Sequence, residues 1–195
     1  MKVIGLTGGI GMGKSTASAI FRRARIPVFD ADAEVHRLQS PGGRALPAIK
    51  AAFPNTVRDN RLDRAALRTA VLGKPEALTR LEGILHPMVR KAELAFLARA
   101  RRSGRRAVVL DIPLLFETGG RQHVDMVVVV SAPRDVQLHR IGLRRRMSVA
   151  DAAAVIARQM PDAEKRRRAD VVVRTGLSRH HALRRLQRLI RELRA

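Results

Sequence analysis

Near its N-terminus the chain reads Gly8-Gly9-Ile10-Gly11-Met12-Gly13-Lys14-Ser15-Thr16, the most informative motif in the sequence. Its glycines, lysine and serine fill the template G-x-x-x-x-G-K-[ST], which is typical of a phosphate-binding loop, or P-loop. An apolar run at residues 3–6 predicts a strand before the loop, and residues 14–24 predict a helix after it. A glycine-rich turn without a ligand is the alternative, but the complete template in this strand–loop–helix context favours phosphate binding.

The residue types of the loop explain how it would hold phosphates. Glycines let backbone N–H groups converge on phosphate oxygens, and the start of a helix adds a favourable dipole. Lys14 would reach the transferred phosphoryl group, and the Ser15 hydroxyl would ligate Mg²⁺. We therefore predict nucleotide contacts along the whole loop, from Gly9, Ile10, Gly11, Met12, Gly13, Lys14, Ser15 and Thr16.

The order of the predicted elements indicates an α/β fold of the P-loop nucleoside-triphosphate-hydrolase-like kind, with a parallel sheet flanked by helices. Near-continuous β-branched runs at 106–111 and 124–130 are typical of strands buried on both faces. Shorter strands are predicted at 26–29 and 169–173, and two helical insertions interrupt the strand order. We predict one domain with a core at about 1–31, 103–139 and 169–195, a helical substrate region at about 32–102, and a lid at about 140–168.

Asp30 and Asp32 stand where the second predicted strand ends. The carboxyl ends of parallel strands are where α/β sheets place their ligands. The Asp32 carboxylate would accept the proton of an acceptor hydroxyl or, alternatively, cap the following helix. For Asp30, positioning of a substrate or metal and capping of the helix stay equally open.

Asp111 ends the apolar run at 108–110 and precedes Ile112-Pro113-Leu114-Leu115-Phe116-Glu117. An apolar strand that ends in Asp is similar to a Walker B element, whose carboxylate holds Mg²⁺ directly or through water. Many strands end in Asp because the residue suits turns, so this interpretation depends on the P-loop. With the loop present, we predict a site role for Asp111.

Arg140 follows the strand predicted at 124–130, and further arginines lie at 144–146. An arginine folded over the phosphates would stabilise charge in phosphoryl transfer, although spacing alone favours a solvated basic helix face. His86-Pro87 interrupts another helical pattern. Because His86 has no companion metal ligands, we interpret it as a helix terminus or a substrate contact.

Composition limits the classes of binding partner and the cellular compartment that we expect for this protein. The 39 Lys+Arg against 17 Asp+Glu give a formal charge of +22, which favours anionic partners, although an arginine-rich composition explains part of the excess. Five Phe with no Trp or Tyr argue against a base-stacking surface for nucleic acid. The chain has no Cys, no signal-peptide pattern and no membrane-spanning run, so we expect a soluble cytoplasmic protein.

Together these motifs resemble the dephospho-coenzyme A kinase family over nearly the whole chain. The P-loop is shared by many enzymes, so the most discriminating parts are the Asp30-Ala31-Asp32 turn and the Pro113-Leu114-Leu115-Phe116-Glu117 run. Further matching stretches are Pro41-Gly42, His86-Pro87 with Arg90, residues 137–140, Arg158-Gln159, and Lys165 with Ala169-Asp170.

The resemblance implies phosphorylation of the ribose 3′-hydroxyl of dephospho-coenzyme A, with ATP as phosphoryl donor and Mg²⁺ as cofactor. It implies that Asp32 is the catalytic base, with Lys14 and a lid-side Arg140 contacting the phosphates. Implied substrate contacts come from the first insertion and from the loop after Asp111, namely Asp30, Asp32, His86, Arg90, Asp111, Pro113, Leu114 and Leu115.

The sequence departs from the family pattern at a few positions. Met12 stands where Ser or Ala is commoner, at a position that supplies backbone rather than side chain. Asn60 replaces a frequent Gly, and Asn tolerates left-handed backbone better than most residues. Residues 174–176 lack the Asn that often precedes the adenine-side glycine, so no adenine-recognising side chain is assigned there.

Two other functions remain as alternatives. A nucleoside or nucleoside-monophosphate kinase would share the core and lid plan. A nucleic-acid-binding NTPase would use the arginine excess on a phosphate backbone, but scarce aromatics and the absence of a recognised motif argue against it. We expect dephospho-coenzyme A as substrate, no membrane or nucleic-acid partner, and a monomer or weak homo-oligomer.

Overall fold

The computed structural model describes residues 1–145, 152–153, 156–157 and 159–194. Its strands and helices are, in chain order, β1 (Lys2–Thr7), α1 (Lys14–Arg23), β2 (Val28–Asp30), α2 (Ala31–Leu38), α3 (Leu46–Ala52), β3 (Val57–Arg58), β4 (Arg61–Leu62), α4 (Arg64–Val71), α5 (Pro75–Arg102), β5 (Ala107–Asp111), β6 (Met126–Ser131), α6 (Arg134–Arg145), α7 (Asp162–Arg167), β7 (Val171–Arg174) and α8 (Arg179–Arg194). Contacts divide the chain into two compact units, Met1–Asp30 with Arg99–Ala195 as unit 1 and Ala31–Ala98 as unit 2.

Unit 1 contains a five-stranded sheet with the order β2-β5-β1-β6-β7, in which every neighbouring pair is parallel. All of β5 is buried, as is β6 beyond its first residue, which is why their sequences are nearly continuous apolar runs. The predicted parallel α/β sheet is confirmed.

The core of unit 1 lies where α1 and α8 pack against the sheet. Helix α8 is strongly amphipathic and buries one stripe of side chains, namely Ala182, Leu186, Leu189, Ile190 and Leu193. Phe21 from α1 is fully buried in the same cluster. This packing holds the start of α1, and with it the P-loop, against the carboxyl ends of the central strands.

Unit 2 has its own apolar core. It is built from α2, α3, α4 and the first part of α5, with Leu38, Leu46, Ile49, Phe53, Leu67, Leu81 and Leu85 among its buried members. Asp63 caps α4, since its carboxylate accepts a 2.9 Å hydrogen bond from the Ala66 N–H.

The stretch expected to be mostly helical is so, with α2, α3, α4 and α5. It also contains an antiparallel hairpin that was not predicted, β3–β4, whose turn residues Asp59 and Asn60 have φ of 47° and 57°. The left-handed backbone expected at Asn60 is confirmed, and the two-residue turn explains why a hairpin forms here. The helix terminus predicted at His86-Pro87 is wrong, because α5 continues through Pro87.

The predicted lid, residues 140–168, is only partly described. Positions 146–151, 154–155 and 158, which include Arg146 and Arg158, lie outside the described residues. The described parts include the end of α6 and the whole of α7, and both belong to unit 1. Along the described chain, we find no helix with the length and apolar character that crossing a bilayer requires.

Candidate functional site

The P-loop joins β1 to α1 in a conformation that depends on glycine. Gly11 and Gly13 have φ of 76° and 92°, in the left-handed region that side chains rarely adopt. A Cβ at Gly8 would lie 2.6 Å from the Val130 carbonyl oxygen, so the loop approaches β6 closely. The template glycines therefore have a physical reason in this structure.

Lys14 and Asp111 form an ion pair at the carboxyl ends of the central strands. Lys14 Nζ lies 2.5 Å from Asp111 Oδ1, and their side chains are 18 % and 3 % exposed. The Ser18 hydroxyl, which is buried on α1, donates to the other carboxylate oxygen of Asp111. The predicted phosphate-binding cation and the predicted Walker-B-like carboxylate thus meet directly.

Asp30 ends the neighbouring strand at the same edge of the sheet. In the parallel register, Asp30 of β2 is the partner of Asp111 in β5. Arg22 of α1 approaches the Asp30 carboxylate at 3.5 Å. The structure therefore brings two of the predicted acidic residues, Asp30 and Asp111, to neighbouring positions at one edge of the sheet.

The loop after Asp111 is fixed by contacts with residues of β1. The Thr7 hydroxyl donates a 2.9 Å hydrogen bond to the Pro113 carbonyl. Leu115 is fully buried, and a Cβ on Gly5 would come within 2.7 Å of its side chain. Leu114 is 40 % exposed. The Leu115 side chain therefore packs inside unit 1, whereas the Leu114 side chain faces solvent.

Arg140 contacts the P-loop and the segment after β7. Its guanidinium donates to the Thr175 hydroxyl at 3.1 Å and to the Thr175 carbonyl at 2.8 Å, and it lies 3.5 Å from the Gly11 carbonyl. The Thr175 hydroxyl in turn donates to the Met12 carbonyl at 2.7 Å. Thr175 thus joins Arg140 to the P-loop.

The Met12 side chain is part of the core, which corrects the backbone-only role predicted for this position. It is 3 % exposed, and its Sδ accepts a 3.0 Å hydrogen bond from the Ala132 N–H. Sulfur is a weak acceptor, so the side chain contributes mainly by packing. Met12 also lines a cavity of about 670 Å³.

This cavity lies beside the P-loop, within unit 1. The start of α6, α7 and the segment after β7 contribute its walls, with Pro133, Arg134, Gln137, Asp162, Gly176 and Leu177 among the lining residues. Its volume is in the range of pockets that hold small organic ligands.

The remaining predicted residues lie in unit 2. Asp32 occupies the first turn of α2 and is exposed. His86 and Arg90 are four residues apart on α5, and hence on one face of the helix. Arg90 forms an ion pair with Glu93, a buried residue on the next turn.

No group of three or more His, Asp or Glu side chains within the described ranges is arranged to hold a metal ion. Ser15, the predicted Mg²⁺ ligand, is exposed in the first turn of α1. Mg²⁺ in kinase sites is held by one or two protein groups together with phosphates and water, so a dense protein cluster is not required.

Sequence reasoning missed several side chains that shape this site. Local sequence patterns give no role to Ser18 or Thr175, and Gln137 and Gln159 appear only within the stretches that resemble the family. In the structure Gln137 and Gln159 hydrogen bond to Ile10 from positions 127 and 149 residues away. Such long-range contacts leave no local spacing signal that could have revealed them.

Comparisons with known proteins agree with the motifs. A family profile described as "Dephospho-CoA kinase" matches residues 2–180. The dephospho-CoA kinase of Gluconobacter oxydans is 55 % identical over 198 residues, covering 100 % of this chain and 98 % of the relative. That of Mesorhizobium japonicum is 53 % identical over 194 residues, with the same coverage.

Solved structures support the fold. A crystal structure of a protein from Thermus thermophilus matches 98 % of this chain and 97 % of its own with a TM-score of 0.87 at 36 % identity. The dephospho-CoA kinase from Campylobacter jejuni matches the same shares with a TM-score of 0.67 at 24 % identity. Shikimate kinase from Bacteroides thetaiotaomicron has a TM-score of 0.51 at 17 % identity over 100 % and 99 % of the chains. The last two likenesses concern the fold alone.

Proposed function

The chain belongs to the dephospho-CoA kinase family, and from this premise we propose how its residues divide the work of the reaction. The protein is a phosphotransferase that phosphorylates the ribose 3′-hydroxyl of dephospho-coenzyme A with ATP, giving coenzyme A and ADP in the last step of coenzyme A biosynthesis. Its side chains must therefore bind ATP, activate the 3′-hydroxyl and hold the acceptor in line with the γ-phosphate.

ATP binds with its phosphates on the P-loop and its nucleoside in the cavity beside Met12 and Gly176. The observation that carries this assignment is the Lys14–Asp111 pair, which holds an ammonium group at the start of α1 where phosphates would arrive. Arg140 supports the loop through Thr175 and adds positive charge to the same region. Residues 9–16 supply the loop's backbone donors.

Asp32 acts as the general base. Its carboxylate takes the proton of the 3′-hydroxyl, that oxygen attacks the γ-phosphorus, and the bond from the γ-phosphorus to the bridging oxygen of ADP breaks. Support comes from the family resemblance of the Asp30-Ala31-Asp32 turn and from the exposure of Asp32 in the first turn of α2. Lys14 and Arg140 stabilise the charge that develops on the transferred group.

The proposed acceptor contacts of unit 1 are Asp30, Asp111, Pro113 and Leu114. Within unit 2, Asp32, His86 and Arg90 stay predicted substrate contacts. Leu115 retains a role in the substrate loop by fixing the course of its backbone from the core, since its side chain is fully buried.

Mg²⁺ is the proposed cofactor, and the residues present fit it. Ser15 is exposed at the start of α1. The Asp111 carboxylate lies near it, because it forms an ion pair with the adjacent residue Lys14. The Ser15 hydroxyl, and Asp111 directly or through water, would hold the ion, which would supply positive charge to offset that of the phosphates. We further propose a cytoplasmic enzyme that works without a nucleic-acid partner, as a monomer or weak homo-oligomer.

An acceptor panel with coupled detection of ADP release tests these assignments. We expect ADP release with dephospho-coenzyme A, ATP and Mg²⁺, little with adenosine or nucleoside monophosphates, and strong losses in Lys14→Met and Asp32→Asn. Phosphorylation of a nucleoside monophosphate, with none of dephospho-coenzyme A, would instead identify a nucleoside-monophosphate kinase. Normal turnover of Asp32→Asn would remove Asp32 as the base.

A further inference from the structure

Two glutamine side chains hold a single residue of the P-loop. The Ile10 N–H donates a 3.0 Å hydrogen bond to Gln159 Oε1, and Gln137 Nε2 donates a 2.7 Å hydrogen bond to the Ile10 carbonyl. Gln137 lies on α6 and is 3 % exposed, whereas Gln159 precedes α7. We call Gln137 and Gln159 the glutamine bracket.

The bracket also occupies the space next to Gly9. A Cβ at this position would lie 3.2 Å from Gln159 Oε1 and 3.3 Å from Gln137 Nε2. Both distances are tighter than most real contacts of a Cβ atom, so a side chain here would press on both amide groups. The loop and the bracket therefore fit each other closely at two successive residues.

Gln159 is itself anchored to the loop that follows β5. The N–H of Met160 donates a 3.0 Å hydrogen bond to Glu117 Oε1. The same oxygen lies 2.8 Å from Lys165 Nζ, and the Lys165 side chain is 1 % exposed. Backbone motion next to Gln159 is thus restrained by a carboxylate that a buried ammonium group holds in place.

We propose that Gln137 and Gln159 are positioning residues for the ATP phosphates, and that Glu117 anchors Gln159 through Met160. The bracket binds the N–H and the carbonyl of Ile10, which fixes the loop backbone before any phosphate arrives. A loop that is already ordered loses less conformational entropy on binding, so its affinity for ATP is higher. This inference rests on the proposed role of the P-loop as the ATP site.

The test replaces each glutamine by methionine, which keeps the chain length and removes the amide. ATP binding to the nucleotide-free protein is measured by calorimetry, and steady-state kinetics give KM for both substrates. We expect each of Gln137→Met and Gln159→Met to weaken ATP binding about three- to tenfold, the worth of one hydrogen bond. KM for dephospho-coenzyme A should stay unchanged, and Gln187→Met, an exposed glutamine on α8, is the matched control.

The double variant shows whether the two glutamines act through one residue. Because both bind Ile10, the combined loss of ATP affinity should be smaller than the product of the two single losses. Independent, multiplicative losses would contradict a shared action on Ile10. Thermal stability is recorded for every variant, since a merely structural defect lowers the active fraction and leaves KM for ATP unchanged.

Glutamate substitutions separate the two partners by their chemistry. Gln159 accepts a hydrogen bond, so Gln159→Glu retains the bond and the nucleotide-free protein should melt near the wild-type temperature. Gln137 donates, so Gln137→Glu sets a carboxylate against the Ile10 carbonyl and should melt lower than Gln137→Met. Equal melting temperatures for the two glutamate variants would contradict the assigned directions of these bonds.

The anchor is tested with a matched pair at Glu117. Glu117→Gln and Glu117→Met both remove the charge beside Lys165, but only the glutamine keeps an acceptor for the Met160 N–H. We expect Glu117→Gln to bind ATP more tightly than Glu117→Met, and equal affinities would overturn the anchor.

Binding of ATP to Lys14→Met distinguishes failure of the glutamine bracket from failure of the proposed ATP site. If both methionine variants of the bracket bind ATP normally while Lys14→Met does not, the bracket is overturned and the P-loop remains the ATP site. If Lys14→Met also binds ATP normally, the proposed ATP site itself is overturned.

Discussion

The ammonium of Lys14 lies 2.5 Å from Asp111 Oδ1, and the Ser18 hydroxyl occupies the other oxygen of the same carboxylate. Lys14 therefore has a partner within the protein as well as its proposed phosphate ligands. When phosphates arrive, the lysine must share its ammonium protons between Asp111 and the ligand. The pair thus couples the proposed ATP site to the core strand β5, and removal of either partner should affect both stability and activity.

Lys14→Met should lower both stability and activity, by amounts that can be measured separately. The variant keeps much of the side-chain length but takes the ammonium partner from the nearly buried Asp111 carboxylate, which retains the hydrogen bond from Ser18. We expect a loss of about 1–3 kcal/mol in the free energy of unfolding and a fall in kcat/KM of about 10²-fold or more. Denaturant unfolding and the ADP-release assay measure the two effects. Lys50→Met, an exposed lysine of α3, is the control and should leave both unchanged.

Asp32→Asn should lower turnover and spare ATP binding. An amide cannot take the hydroxyl proton, and loss of a general base typically costs about 10²- to 10⁴-fold in rate. Calorimetric titration with ATP should give a near wild-type Kd, because Asp32 is assigned to the acceptor. Asp59→Asn is the control, since Asp59 is exposed in the β3–β4 turn and Asn tolerates its left-handed backbone. An equal loss of rate in both variants would argue against a specific role for Asp32.

The fold was largely predictable from the sequence because its signals are local. The P-loop template fixes a strand, a turn and a helix, and the β-branched runs of β5 and β6 require burial on both faces. The hairpin at residues 57–62 was missed because each strand has only two residues, too few for an alternating pattern. Proline usually ends a helix, so Pro87 predicts a break, whereas the surrounding turns of α5 outweigh the cost of the proline.

The contacts that shape the candidate site were less predictable. Asp111 was selected by its place at a strand end, but its partner Ser18 is 93 residues away. Residues 174–176 carry no local signal for a site side chain, and only the folded chain reveals the Thr175 hydroxyl between Met12 and Arg140. Leu115 and Leu114 are adjacent and chemically identical, so sequence could not tell that the first is buried and the second exposed.

Thr175→Val should weaken the support of the P-loop by removing one hydroxyl. The Met12 carbonyl loses its 2.7 Å donor and Arg140 loses one of two acceptors on Thr175, while the volume of the side chain is kept. We expect KM for ATP to rise about three- to tenfold, in line with the worth of one or two hydrogen bonds. Thr175→Ser retains the hydroxyl and should behave like the wild type. If serine and valine variants raise KM equally, the hydroxyl is not the group that matters.

Glu117 should make stability depend on pH in the acid range. Burial raises its pKa, but the hydrogen bond from Lys165 and the N–H groups of Glu117 and Met160 outweigh this, so the pKa lies below its ordinary value. Because the pKa of Glu117 is lower in the folded chain, its carboxylate stabilises the fold fully at pH values above its pKa in the unfolded chain, which is about 4. This stabilisation is lost as the pH falls through the pKa of Glu117 in the folded chain. The stability difference between wild type and Glu117→Gln should therefore be largest near neutral pH and shrink below about pH 4. Chemical denaturation at a series of pH values measures it, and a difference that grows on acidification would contradict this assignment.

Leu115→Ala and Leu114→Ala should separate packing from substrate contact within one loop. Leu115 is fully buried between Gly5 and Gly120, so its truncation leaves a cavity and should cost about 2–5 kcal/mol in the free energy of unfolding. Leu114 is 40 % exposed, so its truncation should change stability by less than about 1 kcal/mol. As a proposed acceptor contact, Leu114 should instead raise KM for dephospho-coenzyme A severalfold when truncated, with KM for ATP unchanged. Denaturant unfolding and kinetics with each substrate varied in turn provide both readouts. A KM effect confined to Leu115→Ala, measured where that variant is fully folded, would reverse the two roles.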